Sequence, residues 1–463
     1  MDSAFAQWPP SLWSETSVKW DFPQISSSES FDVVIIGAGY SGLWTAHHLL
    51  HLEPSLSIAI LEAQQPGFGA SGRNGGWCSA FSPMSLEAVA AQSGKQGAIN
   101  LQTALVSAVD EIGAYVTDTQ IECGWHKGGT LSFAINEPQL QRINESICMS
   151  RDFGFDEQFV TLIAAEEAEK RVRIPFSLGA SYSPHCAALQ PAQLVDGLVE
   201  QLLLRKVQFF GSTQVSEIQP KQCLAATTEG NITVRAKWIV RGTEGFTPGL
   251  RQYRRDVAPL YSYMIATEPL SDSQWKDIGW SNRETVSDGR NLVIYAQKTA
   301  DGRIAFGGRG APYKYASRIG SQFDNNANIH TLIEKSMREM FPSIEDVAVT
   351  HRWGGALGVH RDWFTSARID HNSHIASLGG YVGDGVAFSY VAAKEVANSI
   401  LGATSDYRPL PIVNHLSPRW EPEPLRYIGI NSILRLTARA DETEKKFGKR
   451  NRFVDWLLGK LIH

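Results

Sequence analysis

Three glycines near the N-terminus have a spacing that can bind a diphosphate. They lie in the segment GAGYSG at residues 37–42. Gly37 permits a tight turn, Gly39 lets the backbone approach the phosphates, and Gly42 lets a helix pack closely on a strand. The following helix would point unpaired N–H groups and its positive dipole end at the ligand. The spacing therefore predicts a dinucleotide-binding turn.

The elements around this turn have the order that such a site requires. Residues 31–37 form a continuous apolar run typical of a buried parallel strand, residues 41–52 have helical spacing, and residues 56–61 form a second strand. Glu62 ends that strand, twenty residues after Gly42. Its carboxylate can accept both hydroxyls of an adenosine ribose and would repel a 2′-phosphate. A βαβ unit that binds NAD or FAD is expected.

A second glycine-rich loop distinguishes these two ligands. The segment GASGRNGG at residues 69–76 follows the ribose-binding strand closely. Small residues there let backbone N–H groups face a flat ligand, which favours FAD. The alternative is a flexible surface loop, which explains the glycines but not their position.

Periodicity predicts alternating elements along the rest of the chain, without an internal repeat. Helices are expected at 98–117, 137–152, 192–206, 329–340 and 385–401. Strands are expected at 128–134, 207–210, 231–235, 237–241, 259–267, 291–297, 303–308, 349–355 and 374–378. A chain of 463 residues exceeds what one hydrophobic core usually holds, so two domains are expected.

Composition excludes several classes of function. The net charge of −5 gives no basic field for nucleic acid. The five cysteines are widely separated and form no CxxC pair, so neither a metal site nor a disulfide framework is expected. The N-terminus lacks the pattern of a secretory signal, and no run of about 18 apolar residues exists. A cytoplasmic protein without a transmembrane segment is expected.

Several separated segments together resemble one known family. They are DVVIIGAGYSGL (32–43), GASGRNGG (69–76), TEG (243–245), ATEPL (266–270), RIAFGGRG (303–310) and GGYVGDGVAFS (379–389). The chain resembles the D-amino-acid oxidase-like (DAO) family of FAD-dependent amine oxidoreductases. Within it, the sequence is similar to the γ-glutamylputrescine oxidoreductases.

The resemblance implies an α/β fold with a Rossmann-like FAD-binding domain of the GR2 type and an interleaved α+β substrate domain. It places the FAD-binding domain at 31–95, 175–258 and 345–403, and the substrate domain at 96–174 and 259–344. An N-terminal arm (1–30) and a helical tail (404–463) flank them. It also implies hydride transfer from an amine or amino acid to the flavin, hydrolysis of the imine, and reoxidation of the flavin by O2 or an electron carrier.

The segment 379–385 adds a physical argument for flavin, because it leads from a strand into a helix. N–H groups at the start of that helix, near Gly385, can stabilise negative charge that develops on the reduced ring. A glycine-rich loop before a packing helix is the alternative. The expected FAD-binding residues are Gly37, Gly39, Tyr40, Ser41, Gly42, Glu62, Ala70, Ser71, Gly72, Arg73, Asn74, Gly75, Gly76, Val215, Thr243, Gly380, Gly383, Asp384, Gly385 and Val386.

Candidates for the substrate wall come from the second domain. Arg309 can bind a substrate carboxylate with two N–H groups, or form a surface ion pair. Tyr261, Tyr263 and Tyr295 can line the substrate site, although tyrosines in strands are more often core residues. Arg309 would suit an amino acid, whereas a polyamine would require carboxylates and aromatic rings.

Two further candidates lie near the expected flavin. Trp353 can stack near the ring or fill the core between the domains. Arg73 can raise the electron affinity of the flavin, pair with a carboxylate, or anchor its own loop through a salt bridge. No cysteine lies near residues 379–389, and Cys78 has no clear role, so non-covalent FAD is expected.

Both ends of the chain carry aromatic and apolar residues. The aromatic arm is expected to pack on the body, and residues 445–463 to form a short amphipathic helix that docks on protein or, less favourably, touches a membrane surface.

A nicotinamide-only dehydrogenase would explain the first glycine motif but neither later glycine loop. A non-catalytic flavin-binding redox module would explain all three.

Overall fold

The computed structural model describes residues 11–228, 230–308, 310–451, 453, 454 and 456. The strands are β1 Ser30–Ile36, β2 Ile58–Leu61, β3 Trp77–Ser79, β4 Thr130–Ala134, β5 Thr161–Ala164, β6 Gly179–Ser183, β7 Cys186–Ala188, β8 Gln208–Phe210, β9 Gln214–Gln219, β10 Gln222–Thr227, β11 Gly230–Arg241, β12 Ala258–Thr267, β13 Thr285–Asp288, β14 Ile294–Lys298, β15 Ile304–Gly308, β16 Val349–Val359, β17 Ser366–Asp370 and β18 Ile375–Gly379. The helices are α1 Tyr40–Leu52, α2 Leu86–Asp118, α3 Glu137–Asp152, α4 Ala165–Arg171, α5 Pro191–Leu204, α6 Asp272–Ile278, α7 Ala327–Met340, α8 Gly385–Leu401 and α9 Leu425–Phe447.

The first sheet carries the predicted dinucleotide-binding unit. Its order is β17-β18-β11-β1-β2-β8, and β18, β11, β1, β2 and β8 run parallel. Alternate residues of β1 face opposite sides. Val33 and Ile35 join a core built with helices α1, α2, α5 and α8, while Val34 and Ile36 join a second core built with β9–β11. This arrangement is the expected Rossmann-like fold.

The second sheet has the order β16-β12-β15-β14-β13-β4-β6-β5 and is mostly antiparallel. Strand β12 pairs with β16 from Ala258 to Thr267. Alternation along β12 sends Tyr261 and Tyr263 into a core under α7, and the residues between them to the opposite face. The mixed α/β fold with two interleaved layers is therefore present.

Three elements pack differently from what the predicted domain bounds would suggest, and the bounds themselves remain a prediction. Helix α2 packs into the core of the first sheet, although residues 96–174 were assigned to the substrate domain. Strands β6 and β16 belong to the second sheet, although they fall within segments assigned to the FAD-binding domain. The reason is pairing at long range, which periodicity within a segment does not reveal.

One local prediction is wrong. Residues 230–241 form the single strand β11, where two strands were expected, and the hairpin partners β9 and β10 were missed. The long helix α9 runs from Leu425 to Phe447 and was not predicted as a separate element. Within the segment 445–463, where a short helix was predicted, residues 453, 454 and 456 are helical. Of that segment, residues 452, 455 and 457–463 lie outside the described part. None of the described helices is long and apolar enough to cross a bilayer.

Candidate active site

A cavity of about 380 Å³ lies at the carboxyl ends of β1 and β2. This edge is where ligands bind in doubly wound sheets. Thirteen of the expected FAD-binding residues line it: Gly37, Gly39, Tyr40, Ser41, Glu62, Ala70, Ser71, Asn74, Val215, Thr243, Gly383, Gly385 and Val386. The structure thus brings residues from all three glycine-rich segments to one cavity.

The glycines of the first motif sit where a side chain would collide with backbone. A Cβ on Gly42 would lie 2.0 Å from the carbonyl oxygen of Gly37, and one on Gly37 would lie 2.9 Å from that of Gly242. Gly37 also has a φ of +100°. A Cβ on Gly39 would meet the Ser71 hydroxyl at 2.9 Å, at the cavity wall. This close turn leaves room for a diphosphate beside the start of α1, so these residues fit FAD.

Glu62 is fixed at the end of β2 by backbone donors. Its carboxylate oxygens accept hydrogen bonds from the N–H of Ala38 at 2.8 Å and of Gln64 at 2.9 Å. Burial raises its pKa from the ordinary value, and these hydrogen bonds oppose that rise. Each oxygen retains accepting capacity, which suits the two ribose hydroxyls predicted as its partners.

The loop 69–76 is held rigidly by its own polar side chains. The Ser71 hydroxyl accepts from the N–H of Tyr40 at 3.0 Å, which joins the loop to the start of α1. Asn74 donates to the carbonyls of Ala70 and Ser71 and accepts from the N–H of Gly76. The N-terminal arm adds a further contact, because the Trp13 indole donates to the carbonyl of Asn74 at 2.8 Å. The loop is therefore positioned before any ligand binds.

A buried carboxylate organises the opposite wall. Glu244 accepts from the N–H groups of Gly358, Gly380 and Tyr381, which joins β16 to the loop before α8. Burial raises the pKa of Glu244 and these hydrogen bonds oppose the rise, so that the resulting pKa is about 7. The Tyr381 and Ser41 hydroxyls are 2.8 Å apart, so this loop also contacts α1. Glu244 and Tyr381 line the cavity but were not predicted as site residues.

A second cavity of about 620 Å³ adjoins the first. Ala70, Asn74, Leu357 and Gly383 line both, so the two spaces meet at the loops before α8 and after β2. The second cavity is walled mainly by apolar side chains. They come from β12, β16, the segment 291–295 and, on the far side, α9. A concave, mainly apolar cavity with a few polar groups is the usual form of a small-molecule site.

Arg73 lies between the cavities and the second sheet. Its guanidinium is 3.0 Å from the Asp324 carboxylate and donates to the carbonyl of Gly354 at 3.0 Å. Burial raises the pKa of Asp324, and Arg73 opposes the rise. Of the three roles considered for Arg73, the salt bridge that anchors its loop is the one its contacts favour, while the side chain also lines the second cavity.

The other substrate-wall candidates are dispersed. Tyr295 lines the second cavity, and its hydroxyl is 2.8 Å from that of Ser262. Tyr261 and Tyr263 are buried in the core and hydrogen-bond to backbone at 320 and 323, away from both cavities. Trp353 is also in the core, and it donates to the carbonyl of Arg73. Arg309 lies outside the described residues.

Seven expected FAD-binding residues lie outside the first cavity. Arg73, Gly75 and Asp384 line the second cavity instead. Neither cavity is lined by Gly42, Gly72, Gly76 or Gly380. A Cβ on Gly42, Gly76 or Gly380 would collide with protein, and Gly72 is buried. A Cβ on Gly380, for example, would collide with the His360 ring. These four glycines shape the turns that position the cavity walls.

The comparisons with known proteins identify the class. The family model described as FAD dependent oxidoreductase (DAO) matches residues 32–399. The chain therefore belongs to the DAO family of FAD-dependent oxidoreductases, and the predictions of FAD and of an oxidoreductase are confirmed.

Relatives and solved structures agree with this class. The chain is 26% identical over 393 residues to the probable oxidoreductase OrdL of Haemophilus influenzae, covering 83% of this chain and 86% of the relative. It is 26% identical over 385 residues to the gamma-glutamylputrescine oxidoreductase of Escherichia coli, covering 82% and 86%. Glycine oxidase from Geobacillus kaustophilus superposes with a TM-score of 0.69 at 18% identity, covering 84% of this chain and 100% of that one, and therefore supports the fold.

The mode of FAD attachment remains a prediction. Among the described residues that line the two cavities there is no cysteine or histidine. Cys78 is buried, and burial raises the pKa of its thiol, which disfavours the reactive thiolate. We expect acid precipitation to leave the yellow colour in the supernatant. Colour that stays in the washed pellet would contradict non-covalent binding.

Proposed function

We propose that the protein oxidises the CH–NH bond of an amine or amino acid. The observation that carries the proposal is the junction of the two cavities at Ala70, Asn74, Leu357 and Gly383. When bound in the first cavity, FAD supplies a ring that accepts a hydride from a carbon held in the second. The resulting imine would be hydrolysed by water, and O2 is the proposed oxidant of the reduced flavin.

In this proposal the residues of the chain position the substrate and exclude water, and no charge-relay triad is required. Apolar side chains of β12 and β16 cover the second cavity, and Asn74 and Ser71 hold the adjoining loop. Within the described ranges, no cluster of three or more His, Cys, Asp or Glu side chains is arranged to hold a metal ion. Flavin oxidation of an amine mainly requires a correctly placed carbon and a dry site.

The test is anaerobic titration of the purified yellow protein with a panel of amines and amino acids. At least one compound should bleach the flavin absorbance, and admission of air should restore it with release of peroxide. Restoration only by an added electron carrier would replace O2 as acceptor. If NADH bleaches the flavin and no amine does, or if nothing bleaches it faster than free FAD, the proposed function is wrong.

A further inference from the structure

Asp384 lines the second cavity, and its carboxylate has no hydrogen-bond or ion-pair partner among the described residues. Asp384 precedes α8 at the N-cap position, where an aspartate usually accepts an N–H of the first turn. Here the side chain makes no capping hydrogen bond. No other described residue donates to it either, and it lines the second cavity but not the first. An anionic group in this position lacks the partner that a buried charge requires.

The positive side chains that the structure describes along this cavity are paired with carboxylates. Among its described lining residues, the cationic ones are arginines, and each makes a salt bridge of 2.9–3.0 Å. The pairs are Arg73 with Asp324, Arg361 with Glu421, and Arg426 with Glu423. The charge that remains to be balanced in this described wall is therefore the negative one of Asp384.

The wall opposite β12 is an apolar stripe on α9. Ile430, Ile433 and Leu434 have helical spacing and face the cavity, together with Gly429 and Thr437. The three apolar side chains are half-buried, since the cavity lies on one side of them. Helix α9 lies beyond residue 399, where the match to the family model ends. This wall is therefore built by a part of the chain that the family model does not include.

Helix α9 is fixed in this position near both ends. Asp441 accepts hydrogen bonds from the backbone N–H groups of Asn291 and Leu292 at 2.8 and 2.9 Å. Three residues further, Glu444 accepts two hydrogen bonds from the guanidinium of Arg142. At the other end, Glu423 accepts from Tyr313 and from the N–H of Tyr427. A wall held in this way can select substrates by size.

We propose that the substrate is a cationic amine with a bulky apolar substituent and no carboxylate: Asp384 binds its ammonium group, and the stripe of Ile430, Ile433 and Leu434 binds its apolar part. This inference rests on the proposed function. The proposed substrate is an amine rather than an amino acid, for which Arg309 was the candidate carboxylate-binding residue. Only the neutral amine can give up hydride, so the Asp384 carboxylate takes one proton from the bound ammonium group before the neighbouring carbon reacts. Burial raises the pKa of Asp384 to about 7, which suits this residue to hold that proton.

The first experiment compares 2-phenylethylamine with L- and D-phenylalanine, which differ from it by a carboxylate. The holoenzyme is mixed anaerobically with each, and the limiting rate of flavin reduction and the apparent Kd are measured. The ratio of rate to Kd should be at least tenfold higher for the amine. Equal or faster reduction by either phenylalanine would overturn the proposal.

The second experiment tests the two binding groups. Asp384→Asn should raise the Kd for 2-phenylethylamine at least tenfold, and Asp384→Glu should restore part of the loss. Ile433→Ala should raise the same Kd about fivefold but leave that for ethylamine within twofold. Ile428→Ala is the matched control, because Ile428 is 55% exposed on α9 and does not line the cavity. Unchanged Kd values in Asp384→Asn, or equal effects of the two isoleucine variants, would overturn the proposal.

Calorimetric titration of the oxidised holoenzyme with 2-phenylethylamine separates this inference from the proposed function. If no amine bleaches the flavin but the amine binds and Asp384→Asn weakens binding tenfold, the proposed function fails and the binding site stands. If amino acids bleach the flavin while 2-phenylethylamine does not bind, the function stands and the inference fails.

Discussion

Replacing Gly42 by alanine is expected to abolish FAD retention during purification. An added Cβ would lie 2.0 Å from the carbonyl oxygen of Gly37 and 3.1 Å from a methyl group of Ile35. The first contact is with backbone that already turns sharply, at a φ of +100° for Gly37. Helix α1 would have to move away from β1, and the diphosphate would lose the backbone that faces it.

The measurement is the FAD content of purified protein, together with its thermal midpoint with and without added FAD. Gly402→Ala is the matched control. Gly402 has a φ of +65° and open space around the position of a Cβ, so alanine there costs about 1–2 kcal/mol of backbone strain without touching the cavity. A Gly42→Ala protein that keeps a full complement of FAD would contradict the assigned role of this turn.

Local patterns predicted many of the residues that line the first cavity. The apolar run before Gly37, the glycine spacing and the acidic end of β2 are all contained within about thirty residues, and each has a physical reason that acts locally. The loops 69–76 and 379–385 were also recognisable because glycine at positive φ carries a signal of its own. Gly76 at +68° and Gly383 at +108° adopt such angles.

The substrate wall was harder to predict because alternation along a strand has no fixed phase. In β12, Tyr261 and Tyr263 were candidates for the substrate wall, with a place in the core as the alternative, and they face the core. The residues between and beside them, Leu260, Ser262 and Met264, line the second cavity. A shift of one residue would exchange the residues on the two faces of β12. The core face is therefore set by helix α7, which packs on one side of the strand.

Helix α9 carried no motif at all. Its cavity-facing stripe is short, and the contacts that fix it connect Asp441 to residues about 150 positions earlier in the chain. The basic and apolar residues of the tail predict a docking element, but a local pattern does not indicate onto which surface it docks. The N-terminal arm is similar, because nothing local indicated that Trp13 would reach the carbonyl of Asn74.

Removal of the buried cation at Arg73 is expected to have the second large effect. Arg73→Met leaves the Asp324 carboxylate, whose side chain is 14% exposed, without its partner at 3.0 Å. Breaking a buried pair on one side typically costs about 3–5 kcal/mol, because the remaining charge is not compensated. The loop 69–76 would also lose its tie to the carbonyl of Gly354. We therefore expect lower stability and faster loss of FAD.

A double-mutant cycle tests whether the loss of stability in Arg73→Met comes from the unpaired carboxylate of Asp324. Asp324→Asn alone should lower the free energy of unfolding less than Arg73→Met does. In that variant Arg73 still donates to the carbonyl of Gly354 and still lies 5.3 Å from the centroid of the Phe68 ring. The double variant should be more stable than Arg73→Met, since it no longer buries an unpaired carboxylate. Arg419→Met is the matched control, because Arg419 is 72% exposed in its pair with Asp256 and such pairs are worth at most about 1 kcal/mol. If Arg73→Met is no more destabilising than Arg419→Met, the salt bridge does not anchor this loop, and the position of the flavin wall must depend on Asn74 and Ser71 instead.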